Sequence, residues 1–429
     1  MPVPKKSIYT IKSDKMFEYP NKLNVIFDKL NQYHIKAIIV GGYLRDYFLG
    51  IESKDIDIEL YNVDSLEKVE KILREFGKVN GVGKSFGVVK LLYENLDLDF
   101  SLPRSDSKIT TGHKGFEVAI YADLDFKSAA KRRDFTMNAI GYDLIAHEIL
   151  DPYNGITDLS NRLLRAVDLQ KFPEDPLRIL RAVTFAARFN LKIEEDLFLL
   201  SKKMVEAGIL KELPRERIFE EIKKLLLKSK QPSKGIKLLK ELSGFRFFNE
   251  LQSLRESVSA LICASLDRAA SFPLKSEKEK LLLMLALLTS QFSKEMQHSF
   301  LQKLTNEKEI LQRVEKLTAI SYDLTHQTNY SIYKLATQTE IAFFSYYLLA
   351  LYPKEQTNIT KLTQRTKQLG IYHKALPPLI EGKDLVALGL KPSKEFSKIL
   401  NEAYEKQMRE EFYTKEEIMH HLDESGVLS

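Results

Sequence analysis

The stretch Ile38–Leu60, IIVGGYLRDYFLGIESKDIDIEL, decides how this chain is organised. Ile38-Ile39-Val40 reads as a buried strand, Gly41-Gly42 as a turn, the segment carrying Arg45 and Asp46 as a short helix, and the acidic end as a second strand. Successive side chains on a strand point to opposite faces. Asp55 and Asp57 therefore project from one face, Ile56 and Ile58 from the other. Adjacent carboxylates repel each other, and a divalent cation between them removes that penalty. A solvated acidic edge strand would carry the same Asp-x-Asp. The Gly-Gly turn favours the functional reading, because it lets backbone N–H groups approach a phosphate at the start of a helix. A phosphate cradle beside a metal-binding carboxylate pair suits phosphoryl or nucleotidyl transfer, where positioning and electrostatics do most of the work.

Around this stretch the N-terminal part alternates helix and strand signals. Asn21–Tyr33 has helical periodicity, and Ser65–Phe76 (SLEKVEKILREF) is an amphipathic helix with Ser65 as its cap. Ser85–Tyr93 and Leu96–Leu102 are β-rich, so helices packed on one mixed sheet are expected. In LDLDFS, Asp97 and Asp99 again share a strand face, and either could supply a third carboxylate. Asp99 is preferred, being nearer the following polar loop. Gly83-Lys84-Ser85 resembles the end of a phosphate-binding loop, but Lys78 stands where that motif needs Gly, and a strand-like segment follows where it needs a helix. A hairpin turn is expected there. Pro103–Gly115 has the composition of a mobile loop. Arg132-Arg133, ahead of the helix-like Phe135–Ala139, could clamp a triphosphate through bidentate guanidinium contacts, or could serve as surface salt-bridge partners. Asp151–Val167 is a turn-rich strand-to-helix junction.

A second informative stretch is Glu174–Asn190, EDPLRILRAVTFAARFN. Pro176 suits the first turn of a helix, and the preceding acids suit its N-terminus. Asp175, Arg178 and Arg181 lie along one slowly rotating face. An exposed ion-paired helix would look the same. The sharper reading makes Asp175 and Arg178 a base reader. Asp accepts from an exocyclic amine and Arg donates to a ring acceptor, a pattern that cytosine and adenine share and that guanine and uracil lack. Rejection works because a mismatched polar group goes unpaired.

With 429 residues the chain can bury several cores, so roughly two to four domains are expected. A net charge of +6 suits a polyanionic partner without requiring one. Cys263 is the single cysteine, which excludes an intramolecular disulfide and a cysteine-based zinc site. The apolar run Leu281–Leu288 is too short to span a bilayer and reads as a buried helix. The opening MPVPKKSIYT has no apolar signal region, and a cytoplasmic location with no membrane partner is expected. From Leu191 onward the chain reads as helical, with breaks near Gln231-Pro232, Phe272-Pro273, Tyr352-Pro353 and Leu376-Pro377. Gly382–Gln407 reads as a small helical module.

Taken in order, GGYLRD with DID (Gly41–Asp57), RRDFTMNA (Arg132–Ala139), DPYNGITDLSNRLLR (Asp151–Arg165) and EDPLRILRA (Glu174–Ala182) resemble the motifs of the class II tRNA nucleotidyltransferase and bacterial poly(A) polymerase family. The resemblance implies an α+β head at 1–150 on a polymerase-β-like mixed sheet, then an all-α neck (151–245), body (246–375) and tail (376–429). It implies that Asp55 and Asp57 bind Mg²⁺; Asp99, preferred over Asp97 from the strand pattern, would be the third catalytic carboxylate. Gly41, Gly42, Arg45, Arg133 and Arg181 would contact the incoming nucleotide, and Asp175 and Arg178 would select its base. The implied partner is tRNA, with CTP and ATP as substrates. Pro103–Gly115 is similar to the flexible loop that CCA-adding and A-adding members keep and CC-adding members lack. Thr184 departs from the pattern, where many members have Arg. No His-Asp dyad was found, so the phosphohydrolase domain of some relatives is not expected. An A-adding enzyme and a poly(A) polymerase remain open within the class. From other classes, an antibiotic-modifying nucleotidyltransferase and a non-catalytic RNA-binding protein remain open.

Overall fold

The structure is a computed structural model, and it describes residues 17–63, 65–80, 87–108, 116–120, 124–388, 390 and 394–424. The chain divides into two compact units, Met1–Ser253 and Leu254–Ser429. The expected head and neck stretches fall in the first unit, and nearly all of the expected body and the tail fall in the second.

The first unit begins with α1 (Asn24–Gln32), which buries Ile26, Phe27 and Leu30 on one helical face. Strand β1 (Lys36–Val40) follows, then α2 (Gly42–Phe48), β2 (Asp55–Tyr61) and α3 (Leu66–Leu73). Next come β3 (Val79–Asn80), β4 (Val88–Tyr93) and β5 (Leu96–Ser101). Strands β6 (Arg104–Lys108) and β7 (Phe116–Ile120) precede α4 (Phe126–Ala130), β8 (Gly141–Asp143) and β9 (Glu148–Leu150). Seven strands form one mixed sheet in the order β3-β4-β5-β2-β1-β8-β9. β2 runs parallel to β5 and antiparallel to β1, while β1 is antiparallel to β8. β1 lies inside the sheet, between β2 and β8, and is almost wholly apolar, as a strand covered on both faces must be.

Several expectations needed revision. Ser65 does stand at the N-terminus of α3, but its hydroxyl donates to the Glu67 carboxylate at 2.7 Å and makes no cap bond to the helix backbone. Part of the expected loop at Pro103–Gly115 is ordered: Arg104–Lys108 pairs antiparallel with Phe116–Ile120 as a separate two-stranded ribbon. Loop composition misled there because the partner strand, FEVAI, carries the β-forming residues. Residues 109–115, and the Gly83-Lys84-Ser85 turn, lie outside the described residues. The helix-like Phe135–Ala139 is a single 3₁₀ turn, Thr136–Asn138.

The unit continues with α5 (Gly155–Ser160), whose first N–H groups, on Gly155 and Ile156, donate to the two Asp151 carboxylate oxygens at 2.7 and 2.9 Å. Strand β10 (Leu163–Leu164) pairs parallel with β11 (Lys192–Ile193). Between them lies α6 (Leu177–Phe189), entered at Pro176 and closed by Asn190 in the left-handed region. Helices α7 (Glu195–Glu206), α8 (Arg215–Lys228), α9 (Pro232–Glu241) and α10 (Asn249–Gln252) complete the unit, with α6 packed against α8 and α9.

The second unit is helical throughout its described residues: α11 (Glu256–Ala269), α12 (Glu277–Leu288), α13 (Lys294–Leu304), α14 (Lys308–Thr318) and α15 (Asn329–Gln338) are followed by α16 (Ile341–Leu351), α17 (Gln356–Gln368), α18 (Gly382–Ala387), α19 (Lys394–Met408) and α20 (Lys415–Glu424). The Pro breaks read from the sequence fall at the start of α9 and between helices. Every side chain from Leu281 to Leu288 is buried, because α12 is packed by α11, α14 and α16. Among the described residues no helix is long and apolar enough to cross a membrane. Leu283→Ala, at a position with no exposed surface, should destabilise this unit by about 2–5 kcal/mol. Urea denaturation checks this; an unchanged midpoint would contradict the packing.

Candidate active site

The acidic face of β2 runs from solvent into the protein. Asp55 and Asp57 are exposed, whereas Glu59 and Tyr61, next on the same face, are buried. Glu59 pairs with Ile38 and Asp57 with Val40 on β1, and Phe126 and Ala130 of α4 cover Ile38 and Val40. The open end of the strand therefore presents two carboxylates, and the covered end buries a third.

That buried carboxylate organises the arginine pair. Glu59 Oε1 accepts from Arg132 Nη2 at 2.8 Å and from Arg133 Nη2 at 3.0 Å, and Oε2 accepts from the Tyr61 hydroxyl at 3.0 Å. Burial opposes its charge, but Arg133, Arg132 and the Tyr61 hydrogen bond outweigh it and hold the carboxyl below the ordinary glutamate value. Arg133 Nη1 also donates to the Asn138 carbonyl at 3.1 Å. Held from both ends, this guanidinium lies against the Gly-Gly turn. A Cβ on Gly41 would meet Arg133 Nη1 at 2.7 Å and Asp57 Oδ2 at 3.7 Å, and Gly41 has a φ of +73°. Space and backbone conformation both require glycine there. The turn, the arginine and the Asp-x-Asp strand thus meet at one point.

The carboxyl of Asp57 is pushed up, first by desolvation among its neighbours and then by Asp99, Asp55 and Glu59, against the pull of Arg133. Two hard oxygen donors on one strand face, crowded by further acids, fit a divalent cation of the Mg²⁺ type. Among the described residues no group of three or more His, Cys, Asp or Glu side chains is gathered to hold a metal. The parallel register sets Asp99 beside Asp57 and Asp97 beside Asp55. Asp99 Oδ2 is engaged by Lys90 Nζ at 2.6 Å, and a carboxylate so paired keeps its second oxygen as a candidate ligand.

Arg45 stands beside the second glycine of the turn. It is buried, donates to Asp46 Oδ1 and Asn138 Oδ1 at 2.8 Å each, and its guanidinium lies 4.7 Å from the Phe189 ring centroid and 5.3 Å from that of Phe185. It braces the turn from behind: a Cβ on Gly42 would be 3.5 Å from its Nη2.

The second motif is joined to the first. Arg178 Nη2 donates to the Arg132 carbonyl at 3.0 Å and Nη1 to the Lys171 carbonyl at 2.8 Å. Arg181 donates to Asp134 Oδ2 at 2.6 Å from both Nε and Nη2. Asp134 also accepts from the Asn138 amide and the Phe135 N–H. Burial opposes the Asp134 charge, yet Arg181 and these hydrogen bonds hold its carboxyl below the ordinary range. Asp175 Oδ1 accepts from the Leu177 N–H at 3.1 Å and Oδ2 from Arg217 Nη2 at 2.9 Å. Thr184 is buried, its hydroxyl donating to the Glu221 carbonyl at 3.3 Å.

Sequence reasoning missed Glu59, Asp134, Asn138 and Arg217. Glu59 carried a readable signal, since the DIDIE alternation continues the Asp55–Asp57 face by one step. Arg217 carried none, being 42 residues from its partner.

Comparison with known proteins agrees in both units. Residues 37–165 match the model of the poly A polymerase head domain, 190–254 that of the probable RNA- and SrmB-binding site of polymerase A, and 272–422 that of a putative tRNA nucleotidyltransferase domain 2. A CCA-adding enzyme of Lactococcus lactis subsp. cremoris is 30% identical over 414 residues, covering 94% of this chain and 95% of the relative. This chain belongs to the CCA-adding tRNA nucleotidyltransferase family. Among solved structures, a CCA-adding enzyme in an apo form shares the fold with a TM-score of 0.70 at 21% identity, over 95% of this chain and 96% of that one. A tRNA nucleotidyltransferase complexed with a primer tRNA and an incoming ATP analogue has a TM-score of 0.65 at 25% identity, over 80% of this chain and 98% of that one. Nucleotidyltransferases of this kind use divalent metal ions, in agreement with the donor set on β2.

Removing the buried carboxylate leaves two guanidinium groups facing each other without their shared acid. Glu59→Ala should therefore lower stability by about 3–5 kcal/mol near neutral pH. Because the folded carboxyl is depressed below its ordinary value of 4.5, its contribution is present above that value and lost as pH falls through the folded one. The gap between wild type and variant should close in acid. Denaturant titrations at several pH values check this; a gap constant with pH would contradict it.

Proposed function

We propose that this chain builds or repairs the CCA terminus of tRNA, adding C and A from CTP and ATP without a template and releasing pyrophosphate. The observation that carries this reading is the meeting of Gly41, Arg133 and Asp57, where a turn that tolerates no side chain lies between a braced guanidinium and the exposed carboxylates. Asp55 and Asp57 would hold Mg²⁺. When bound, Mg²⁺ lowers the pKa of the attacking 3′ hydroxyl and offsets charge on the departing pyrophosphate. Arg133, aimed by Glu59 and the Asn138 carbonyl, contacts the triphosphate beside the Gly41-Gly42 backbone, and Arg181 supports it from α6. Arg45 acts by holding the turn in place. Asp99, paired with Lys90 through Oδ2, serves as the third carboxylate through its other oxygen.

Asp175 and Arg178 read the base. Asp175 accepts from the exocyclic amine of cytosine or adenine, and Arg178, with two of its five N–H donors spent on backbone carbonyls, donates to the neighbouring ring nitrogen. The helical second unit holds tRNA through its shape and phosphates. A cytoplasmic setting suits that substrate.

Mg²⁺-dependent incorporation into unfinished tRNA tests the assignment. Asp55→Ala and Asp57→Ala should each abolish incorporation while circular dichroism and tRNA binding stay near wild type. Retained incorporation in either variant would remove the metal role from that residue. Affinity for tRNA should fall steeply with salt, as phosphate contacts require.

A further inference from the structure

The proposed base reader consists of one short and one long side chain, and the two are steadied in different ways. Arg178 is pinned to the backbone, through the carbonyls of Lys171 and Arg132. Asp175 precedes α6 with an extended backbone, and the Leu177 N–H occupies Oδ1. That single bond leaves the plane of the carboxylate undetermined, since χ2 of Asp is a broad, soft torsion. The second restraint comes from α8, where Arg217 Nη2 donates to Oδ2 at 2.9 Å. Asp175 and Arg217 are both partly buried, so this pair is less screened than a surface pair. Each carboxylate oxygen keeps a further lone pair, so both restraints are compatible with accepting from a base.

We propose that Arg217 is the positioning residue of base selection: its guanidinium, bridging from α8 to Asp175, sets the orientation in which that carboxylate meets the exocyclic amine of CTP or ATP. The inference rests on the reading of Asp175 and Arg178 as the base reader. Discrimination against UTP and GTP depends on placing an acceptor where those bases carry a carbonyl. A carboxylate free to swing can turn away from that carbonyl and let water in, which relaxes the rejection. Arg217 therefore acts on selectivity more than on the chemical step.

The test measures kcat and KM for each of the four nucleoside triphosphates on unfinished tRNA, using full-length wild type, Arg217→Met, Arg217→Lys, Asp175→Ala and the Asp175→Ala/Arg217→Met double variant. Arg217→Met should reduce the preference for CTP over UTP and for ATP over GTP by about tenfold or more, the scale of one hydrogen bond to a charged group. Arg217→Lys should restore part of the preference, because it keeps the charge and loses the planar fork. The double variant should discriminate no worse than Asp175→Ala, since Arg217 acts through that carboxylate. If Arg217→Met slows all four nucleotides by the same factor, Arg217 only packs α8 against α6 and the proposal is overturned. If Asp175→Ala keeps wild-type discrimination, the base reader itself is misassigned and the proposal falls with it. Loss in Asp175→Ala with full discrimination in Arg217→Met would keep the reader and overturn Arg217.

Discussion

A buried carboxylate held by two guanidinium groups is the constraint on which the head of this enzyme depends. A charge without exposed surface is costly unless it is paired and hydrogen-bonded, and Glu59 meets that condition through Arg132, Arg133 and Tyr61. The pairing fastens the Arg132-Arg133 segment to β2. The guanidinium aimed at the Gly41 turn and the strand that presents Asp55 and Asp57 therefore move as one piece. Rate in nucleotidyl transfer comes from holding reacting groups in place more than from covalent chemistry by the protein. A rigid joint between phosphate-facing and metal-facing groups serves that end.

The same economy extends outward from Glu59. Arg132 offers its carbonyl to Arg178, Asp134 accepts from Arg181, and Asp175 accepts from Arg217, so polar contacts run from β2 through the Arg-Arg-Asp segment to α6 and α8. Glu59, Asp134 and Asp175 each accept from at least one arginine along this path. Apolar packing supplies the frame. Phe185 and Phe189 of α6 lie against Arg45 of α2, joining the turn's helix to the helix that carries the proposed base reader.

Local periodicity made much of this legible in the sequence. The period-two alternation placed Asp55 and Asp57 on one face and Ile56 and Ile58 on the other, and β2 is built that way. Helical spacing put Arg178 and Arg181 on a common face, and both turn toward the Arg-Arg-Asp segment. What escaped was tertiary. Nothing in GGYLRD shows that Arg45 is buried against Phe185 and Phe189, which follow more than a hundred residues later. The burial of Glu59 depends on α4 crossing that face, which local alternation does not show. The Ser65 hydroxyl stands at the cap position of α3 and donates to the Glu67 carboxylate, with no helix N–H donating to its oxygen. Thr184, noted as a departure from the family pattern, turns into the interface between α6 and α8.

The most direct test of the central claim uses three tRNA transcripts, ending before CCA, after the first C and after CC, each supplied with CTP and ATP separately and together. The account predicts that CTP extends the first two as far as CC, that ATP adds a single A to the third, and that both nucleotides together complete CCA on all three. Extension restricted to one A on the CC-ended transcript, or a run of A residues on any of them, would contradict it.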